Sequence, residues 1–201
     1  VEFLYDGERF FFMEVNTRLQ VEHPSTEQAY GVDLVHAQIE VALGERLPPE
    51  APSRQAFAME VRLNAEDPQR DFSTAPGRVL LLRLPAGTGI RVDAGVEEGN
   101  LIPAEFDSMI AKIISSAPTR ELCLARLQRA LEELELKIEG GTSNRAFLAE
   151  LLRRPELAQG GVHTRFVEEL LAAHPGIVSP EDPRRLSAAL VTAAVEQYRS
   201  S

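Results

Sequence analysis

Phe12-Met13-Glu14-Val15-Asn16-Thr17-Arg18-Leu19-Gln20-Val21-Glu22-His23 sets Glu14, Asn16, Arg18, Gln20 and Glu22 at alternate positions, with Met13, Val15, Leu19 and Val21 between them. In extended backbone, residues two apart share a face. Five polar groups would then line one side over roughly 27 Å, at about 3.3 Å per residue. The plain alternative is an amphipathic strand with a solvated face. Two features weigh against it. Asn and Glu are poor strand formers, and the series mixes carboxylates, amides and a guanidinium instead of repeating one solvating type. Such a face suits a metal-associated oxyanion. The oxygens of Glu14 and Asn16 are hard ligands of the kind Mg²⁺ accepts beside phosphates. Arg18 offers a planar fork to a small anion, and Glu22 is a candidate general base.

Upstream, residues 2–5 and 10–15 read as two strands around the turn Asp6-Gly7-Glu8-Arg9. Glu2 is a candidate third acidic ligand, and the hairpin register decides it. A two-residue Asp6-Gly7 loop sets Glu2 opposite Phe11. A three-residue loop centred on Glu8, or a bulge that restores that register, sets it opposite Glu14. Both registers are open at this stage.

Downstream, a polar stretch from Asn16 to Gln28 leads to a helix capped by Asp33 and ended by Gly44, with Leu34, Val35, Ile39, Val41, Ala42 and Leu43 as its apolar side. Leu47-Pro48-Pro49-Glu50-Ala51-Pro52-Ser53 is too proline-dense for regular structure. A second unit follows, with strands expected at Phe57–Leu63, Gly77–Leu84, Ile90–Val92, Ser108–Ile114 and Leu136–Ile138. Pro118 and Thr119 open a helix to about Glu133, with Leu122, Leu127, Ala130, Leu131 and Leu134 on one side. Further helices are expected at Asn144–Leu152, His163–Leu171 and, in the tail, Pro183–Tyr198.

Composition bounds the function. The chain has 201 residues, 44% hydrophobic and 26% charged, as in ordinary globular domains. Its net charge of −10 disfavours nonspecific nucleic-acid binding. No apolar run approaches the roughly 18–20 residues of a membrane span. The single cysteine, Cys123, excludes an internal disulfide framework and fits a reducing, cytoplasmic setting. The chain opens on Val1-Glu2-Phe3-Leu4-Tyr5, already strand-like, so it is expected to be a piece of a longer polypeptide.

The segment from Phe12 to Pro24 resembles the signature of biotin carboxylases, the ATP-grasp component of biotin-dependent carboxylases. The resemblance continues through Thr26-Glu27, Gly31-Val32-Asp33-Leu34-Val35, Glu60-Val61-Arg62-Leu63-Asn64-Ala65-Glu66-Asp67-Pro68 and Pro76-Gly77-Arg78. Gly89-Ile90-Arg91-Val92-Asp93, Asp107-Ser108-Met109-Ile110-Ala111-Lys112, Gly141-Thr142-Ser143-Asn144 and Phe147-Leu148 follow in the family's order. It implies an α+β fold. Residues 1–46 would complete an ATP-grasp domain, 47–54 would be a linker, 55–173 the biotin carboxylase C-terminal domain, and 174–201 a helical tail or linker.

It also implies a reaction in which ATP activates bicarbonate as carboxyphosphate and biotin on a carrier protein or domain is carboxylated. By motif match Glu2, Glu14 and Asn16 would hold Mg²⁺ (or Mn²⁺) against the ATP phosphates. Arg18, Gln20 and the Val21 backbone would hold bicarbonate, Glu22 would deprotonate it, and Arg62 would stabilise the enolate-like oxygen of ionised biotin. Asp107 and Arg91 would act as supporting or interface residues. A carboxyltransferase would be a further partner, and a homodimer is possible in the family. Thr88 departs from the aromatic that dimeric bacterial members often carry, and Ile102-Pro103-Ala104-Glu105-Phe106 departs from the usual run before Asp107. The nucleotide-gripping part of the family's module is not in this sequence, so the 201 residues alone are expected to be inert. The competing reading is a non-catalytic module for assembly or carrier docking.

Overall fold

The computed structural model describes residues 1–105, 107–174 and 177, and the elements below are those among them. Strands β1 (Glu2–Tyr5) and β2 (Phe10–Glu14) form an antiparallel hairpin. Its loop is Asp6-Gly7-Glu8-Arg9, where the Arg9 and Glu8 amides donate to the Asp6 carboxylate at 2.8 and 3.0 Å and hold that carboxyl below the usual range. Tyr5 pairs with Phe10, Leu4 with Phe11 and Phe3 with Phe12. A register shift then passes over Met13 and sets Glu2 opposite Glu14. Neither simple loop is used: four loop residues and a bulge reach the register that the metal reading requires.

The extended face expected beyond Glu14 does not form. Residues 15–20 belong to no strand or helix, Val21 and Glu22 turn, and α1 (His23–Tyr30) begins. Pro24 sits in the first helical turn, where its missing N–H costs nothing. Gly31 ends the helix at φ +66°, with its N–H on the Glu27 carbonyl at 2.8 Å. The Gln55 side chain occupies the space a Cβ at Gly31 would need. α2 (Leu34–Ala42) carries the expected cap, Asp33 Oδ1 accepting from the His36 amide at 2.8 Å. Its Val35, Ile39 and Val41 lie exposed. Residues 45–56 form neither helix nor strand, and the returning chain is tied to α1 by the Gln55 and Ala56 amides on the Ala29 carbonyl.

β3 (Phe57–Asn64), β4 (Glu66–Asp67), a 3₁₀ turn at Pro68–Arg70, β5 (Ser73–Thr74), β6 (Gly77–Arg83), β7 (Ile90–Ala94), β8 (Leu101–Ile102) and β9 (Met109–Ala117) follow. Then come α3 (Arg120–Glu133), β10 (Glu135–Glu139), α4 (Arg145–Leu151), α5 (Pro155–Gln159) and α6 (Phe166–Ala173). Two antiparallel sheets, ordered β3-β9-β7 and β10-β6-β8, carry this part of the molecule. Helices over antiparallel sheets give an α+β fold. α5 has no counterpart in the expectations. The expected tail helix, Pro183–Tyr198, lies outside the described residues.

The β3-β9-β7 sheet separates two environments. Val61, Leu63, Ala111 and Ile113 point to one side and join Leu124, Leu127, Ala130 and Leu131 of α3 in the core. Burying a leucine there contributes about 1.5–3 kcal/mol. α3 starts on its Thr119 cap, whose hydroxyl accepts from the Leu122 amide. Leu122 itself is 43% exposed, and Cys123 and Leu124 take the core position expected of it. Burial raises the Cys123 thiol above its ordinary pKa, and its sulfur meets Ser115 Oγ at 3.1 Å. The opposite side of the sheet carries Glu60, Arg62, Arg91, Asp93 and Lys112. Cross-strand register aligns Arg62 and Asp93 with Lys112. α1 packs on that side. No helix among the described residues is long and apolar enough to cross a membrane.

Candidate functional site

The bulge that sets Glu2 opposite Glu14 creates the first cluster. Asn16 Nδ2 donates to Glu2 Oε1 at 2.8 Å and to Glu14 Oε1 at 2.9 Å. Gln20 Nε2 donates to Glu2 Oε1 at 2.7 Å. These bonds tie residues 16 and 20 back to the open end of the hairpin. Two carboxylates and two amides from four positions thus converge. The oxygen donors are hard, and two carboxylates are what Mg²⁺ takes when waters and substrate phosphates complete its octahedron. Among the described residues no group of three or more His, Cys, Asp or Glu side chains forms a metal cage. Two carboxylates and an amide oxygen form a donor set that could hold Mg²⁺ only together with oxygens from outside it.

The second cluster forms where the chain turns into α1. Glu22 Oε2 meets Arg62 NH2 at 2.8 Å across forty positions of sequence, with side chains 54% and 50% exposed. His23 Nδ1 lies 2.7 Å from the Gln20 carbonyl, a structural role as expected for a histidine without a second ligand beside it. Gln20 therefore links the clusters, its amide on Glu2 and its carbonyl on His23. Among the described residues Arg18 bonds locally, NH1 to the Leu19 carbonyl at 3.3 Å, and its exposed guanidinium carries further donors. The Val21 carbonyl accepts from Lys112 Nζ at 3.2 Å.

Beneath lies the ionic layer between α1 and the sheet. Glu27 is only 7% exposed; it caps Leu34 through Oε1 at 2.8 Å and pairs with Arg91 NH1 through Oε2 at 2.7 Å. Arg91 forks onto Asp93 at 2.8 and 3.0 Å, and Lys112 adds a contact to Asp93 at 3.4 Å. The Asp93 hydrogen bonds, then burial acting the other way, then the Glu27 bond leave the Arg91 guanidinium held more firmly protonated than usual. Burial alone would raise the Asp93 carboxyl, but Arg91 and Lys112 keep it below its ordinary value.

Glu60 differs from its neighbours. Both its carboxylate oxygens are closed to solvent and have no hydrogen-bond partner among the described residues. Burial pushes its pKa up, Lys112 and Arg62 pull it down, and Glu22 pushes it up again; the net direction is up.

Asp107 stands apart from both clusters. Its Oδ1 accepts from the Met109 amide at 2.9 Å, a cap at the head of β9. Asp67 caps the 3₁₀ turn through the Gln69 amide, and Glu66 takes bonds from Asn64 and, across the fold, Ser108. Glu27, Glu60, Asp93 and Lys112 were not singled out as site candidates from the sequence. A signal for them existed: charges at every second position of strands whose other face is apolar (Glu60 and Arg62, Arg91 and Asp93), and one lysine inside Met109-Ile110-Ala111-Lys112-Ile113-Ile114. Charges so placed share one face of the sheet, and opposite signs there pair across strands.

Residues 60–169 match the family model of the biotin carboxylase C-terminal domain, and residues 1–50 match that of the carbamoyl-phosphate synthase L chain, ATP binding domain. Biotin carboxylase 1 of Bacillus subtilis is 42% identical over 172 residues, 84% of this chain and 38% of that protein. The biotin carboxylase of a Nostoc species is 43% identical over 173 residues, 85% of this chain and 38% of that one. The biotin carboxylase domain dimer of Hydrogenobacter thermophilus 2-oxoglutarate carboxylase, solved with MgADP, ADP and bicarbonate, superposes with a TM-score of 0.80 at 35% identity. That match covers 88% of this chain and 38% of the solved one. The chain thus spans a little over a third of the length of these relatives.

Proposed function

This chain belongs to the family of the biotin carboxylase C-terminal domain, and from that premise we propose that it supplies the metal, bicarbonate and biotin side of a biotin carboxylase. The complete module would use ATP and bicarbonate, through carboxyphosphate, to carboxylate biotin on a carrier protein or domain. The observation that carries this reading is the Glu22–Arg62 pair, formed at 2.8 Å beside the turn that joins it to the Glu2–Glu14–Asn16–Gln20 cluster.

Glu2 and Glu14, with Asn16, would hold Mg²⁺, which when bound neutralises phosphate charge. Arg18, Gln20 and the Val21 N–H bind and orient bicarbonate, and Glu22 accepts its proton. Arg62 keeps Glu22 in place in the resting site and presents its guanidinium to the ureido oxygen of biotin, an electrostatic role aimed at developing negative charge. An ion pair this exposed contributes about 0–1 kcal/mol, so parting it to admit substrate costs little. Asp107 and Arg91 act at one remove, through β9 and through the ionic layer.

The division we propose is residues 1–46 for the end of an ATP-grasp domain, 47–54 for a linker, 55–173 for the C-terminal domain and 174–201 for a tail toward a further domain. The apolar side chains that β1, β2 and α2 leave exposed support it, because they need a cover that the rest of an ATP-binding domain would provide. Carrier and carboxyltransferase would be the partners, with self-association as in the solved Hydrogenobacter domain dimer.

The test is ATP hydrolysis by the full-length polypeptide that carries this sequence, with Mg²⁺ and bicarbonate, with and without free biotin. Biotin-stimulated turnover is expected, and Glu22→Gln should reduce it about 10²–10⁴-fold as a lost general base does. The 201 residues alone should not turn over ATP. A folded full-length protein without bicarbonate-dependent turnover would favour an assembly or docking module. Turnover indifferent to Glu22 would leave a ligase with a different base.

A further inference from the structure

β9 is the middle strand of its sheet, and Lys112 is a cation in its apolar run, with a side chain only 12% exposed. An ammonium so covered requires compensation. Among the described residues it has two polar contacts, the Val21 carbonyl at 3.2 Å and Asp93 at 3.4 Å. These are not equivalent. The Asp93 carboxylate already takes both prongs of the Arg91 fork at 2.8 and 3.0 Å, so its charge is met without Lys112. The bond to Val21 reaches across ninety-one positions, from the sheet to the turn that enters α1.

We propose that Lys112 is a positioning residue that fixes the Gln20–Glu22 turn, and with it the bicarbonate site, from the opposite side of the ionic layer. The inference rests on the bicarbonate-binding reading of that turn given above. Two successive carbonyls are pinned there. The Gln20 carbonyl is held by the His23 amide at 3.3 Å and approached by its ring at 2.7 Å, which sets the peptide plane carrying the Val21 N–H. The Val21 carbonyl is held by Lys112, which sets the next plane and so the Cα from which Glu22 departs. A donor and a base on consecutive residues serve one small anion only if both planes are fixed beforehand. Glu60, without a hydrogen bond among the described residues, interacts electrostatically with Lys112, Arg62, Glu22 and His23.

The experiment measures bicarbonate-dependent ATP hydrolysis of the full-length polypeptide, varying bicarbonate and ATP separately. Lys112→Met is expected to raise the bicarbonate KM about tenfold, a misplacement effect, while the ATP KM stays within about twofold. Lys112→Arg should restore part of the loss, leaving a rise of about threefold. Asp93→Asn leaves the Lys112–Val21 bond available, so its bicarbonate KM should stay within about twofold even where stability falls. A bicarbonate KM unmoved in Lys112→Met, or moved equally with that for ATP, overturns the proposal. So does an equal rise in Asp93→Asn, which would make the layer a structural unit only. If Lys112→Met does not fold, Lys112→Arg decides by the same split: a selective rise supports the proposal and an unchanged KM overturns it. A wild-type protein without bicarbonate-dependent turnover removes the functional reading and this inference with it, and that result is read before any variant is made.

Discussion

Glu60 is the residue whose energetics are least like those of its surroundings. Its carboxylate is closed to solvent without a hydrogen bond among the described residues, and burial outweighs the attraction of Lys112 and Arg62. The folded pKa therefore lies above the unfolded one. With that sign the protonated form is the better accommodated: its contribution is fully present below the unfolded pKa and is lost as pH rises through the folded value. Glu60→Gln should match the wild type in thermal stability near pH 4. At pH 8 it should melt higher, by about 2 °C for a chain of this size. A lower melting temperature at pH 8 would mean that the attraction of Lys112 and Arg62 outweighs the burial of the Glu60 carboxylate. The same residue shows what the sequence withheld. Glu60 and Arg62 are visible as alternating charges on a strand. Which of them is paired depends on where Glu22 lies, and Glu22 is brought in by a turn that the alternation of residues 14–22 did not foretell.

At the scale of elements, legibility follows the range of the interactions. α3 and α2 were readable because their caps are local: Thr119 and Asp33 each bond a backbone amide three positions on. β3 and β9 were readable because one face is apolar. The hairpin register was not, because Phe10-Phe11-Phe12 erases the period-two contrast that selects register. α1 was not, because His-Pro-Ser-Thr-Glu-Gln-Ala-Tyr has no apolar stripe; the side it turns to the sheet meets charges, not the hydrophobic core. Its anchor is Glu27, buried between the Leu34 amide and Arg91. Arg91→Met should strand that carboxylate. Breaking a buried pair costs about 3–5 kcal/mol, and the partial exposure of Arg91 brings the expectation to about 2 kcal/mol. Glu27→Gln should cost less, and the double variant should recover part of the Arg91→Met loss. Denaturant titration of the three reads the coupling. Additive losses would show that α1 is held by packing and not by this pair.

At the scale of the whole molecule, stability is unevenly distributed, and the site lies across the division. β9 is paired on both edges and covered by α3, with Ile113 and Ile114 fully buried. The β1–β2 hairpin has only two strands, and such a ribbon is marginal without a covered face. Phe10 is 70% exposed, and Phe3 and Phe12 pack mainly edge-on against each other within the ribbon. The Glu2 and Glu14 carboxylates stand on this weakly held ribbon, whereas Arg62 and Lys112 stand on the firmly held sheet. Opening free energies should therefore differ along the chain, and amide hydrogen exchange resolves them. In the 201-residue chain, amides of residues 2–14 should exchange at least about a hundredfold faster than those of residues 109–117. In the full-length polypeptide the hairpin should slow toward the sheet, because its aromatic face acquires a cover. Equal protection in the 201-residue chain would instead require the hairpin to find a cover there. Exchange that slows with concentration would identify that cover as a second copy of the chain.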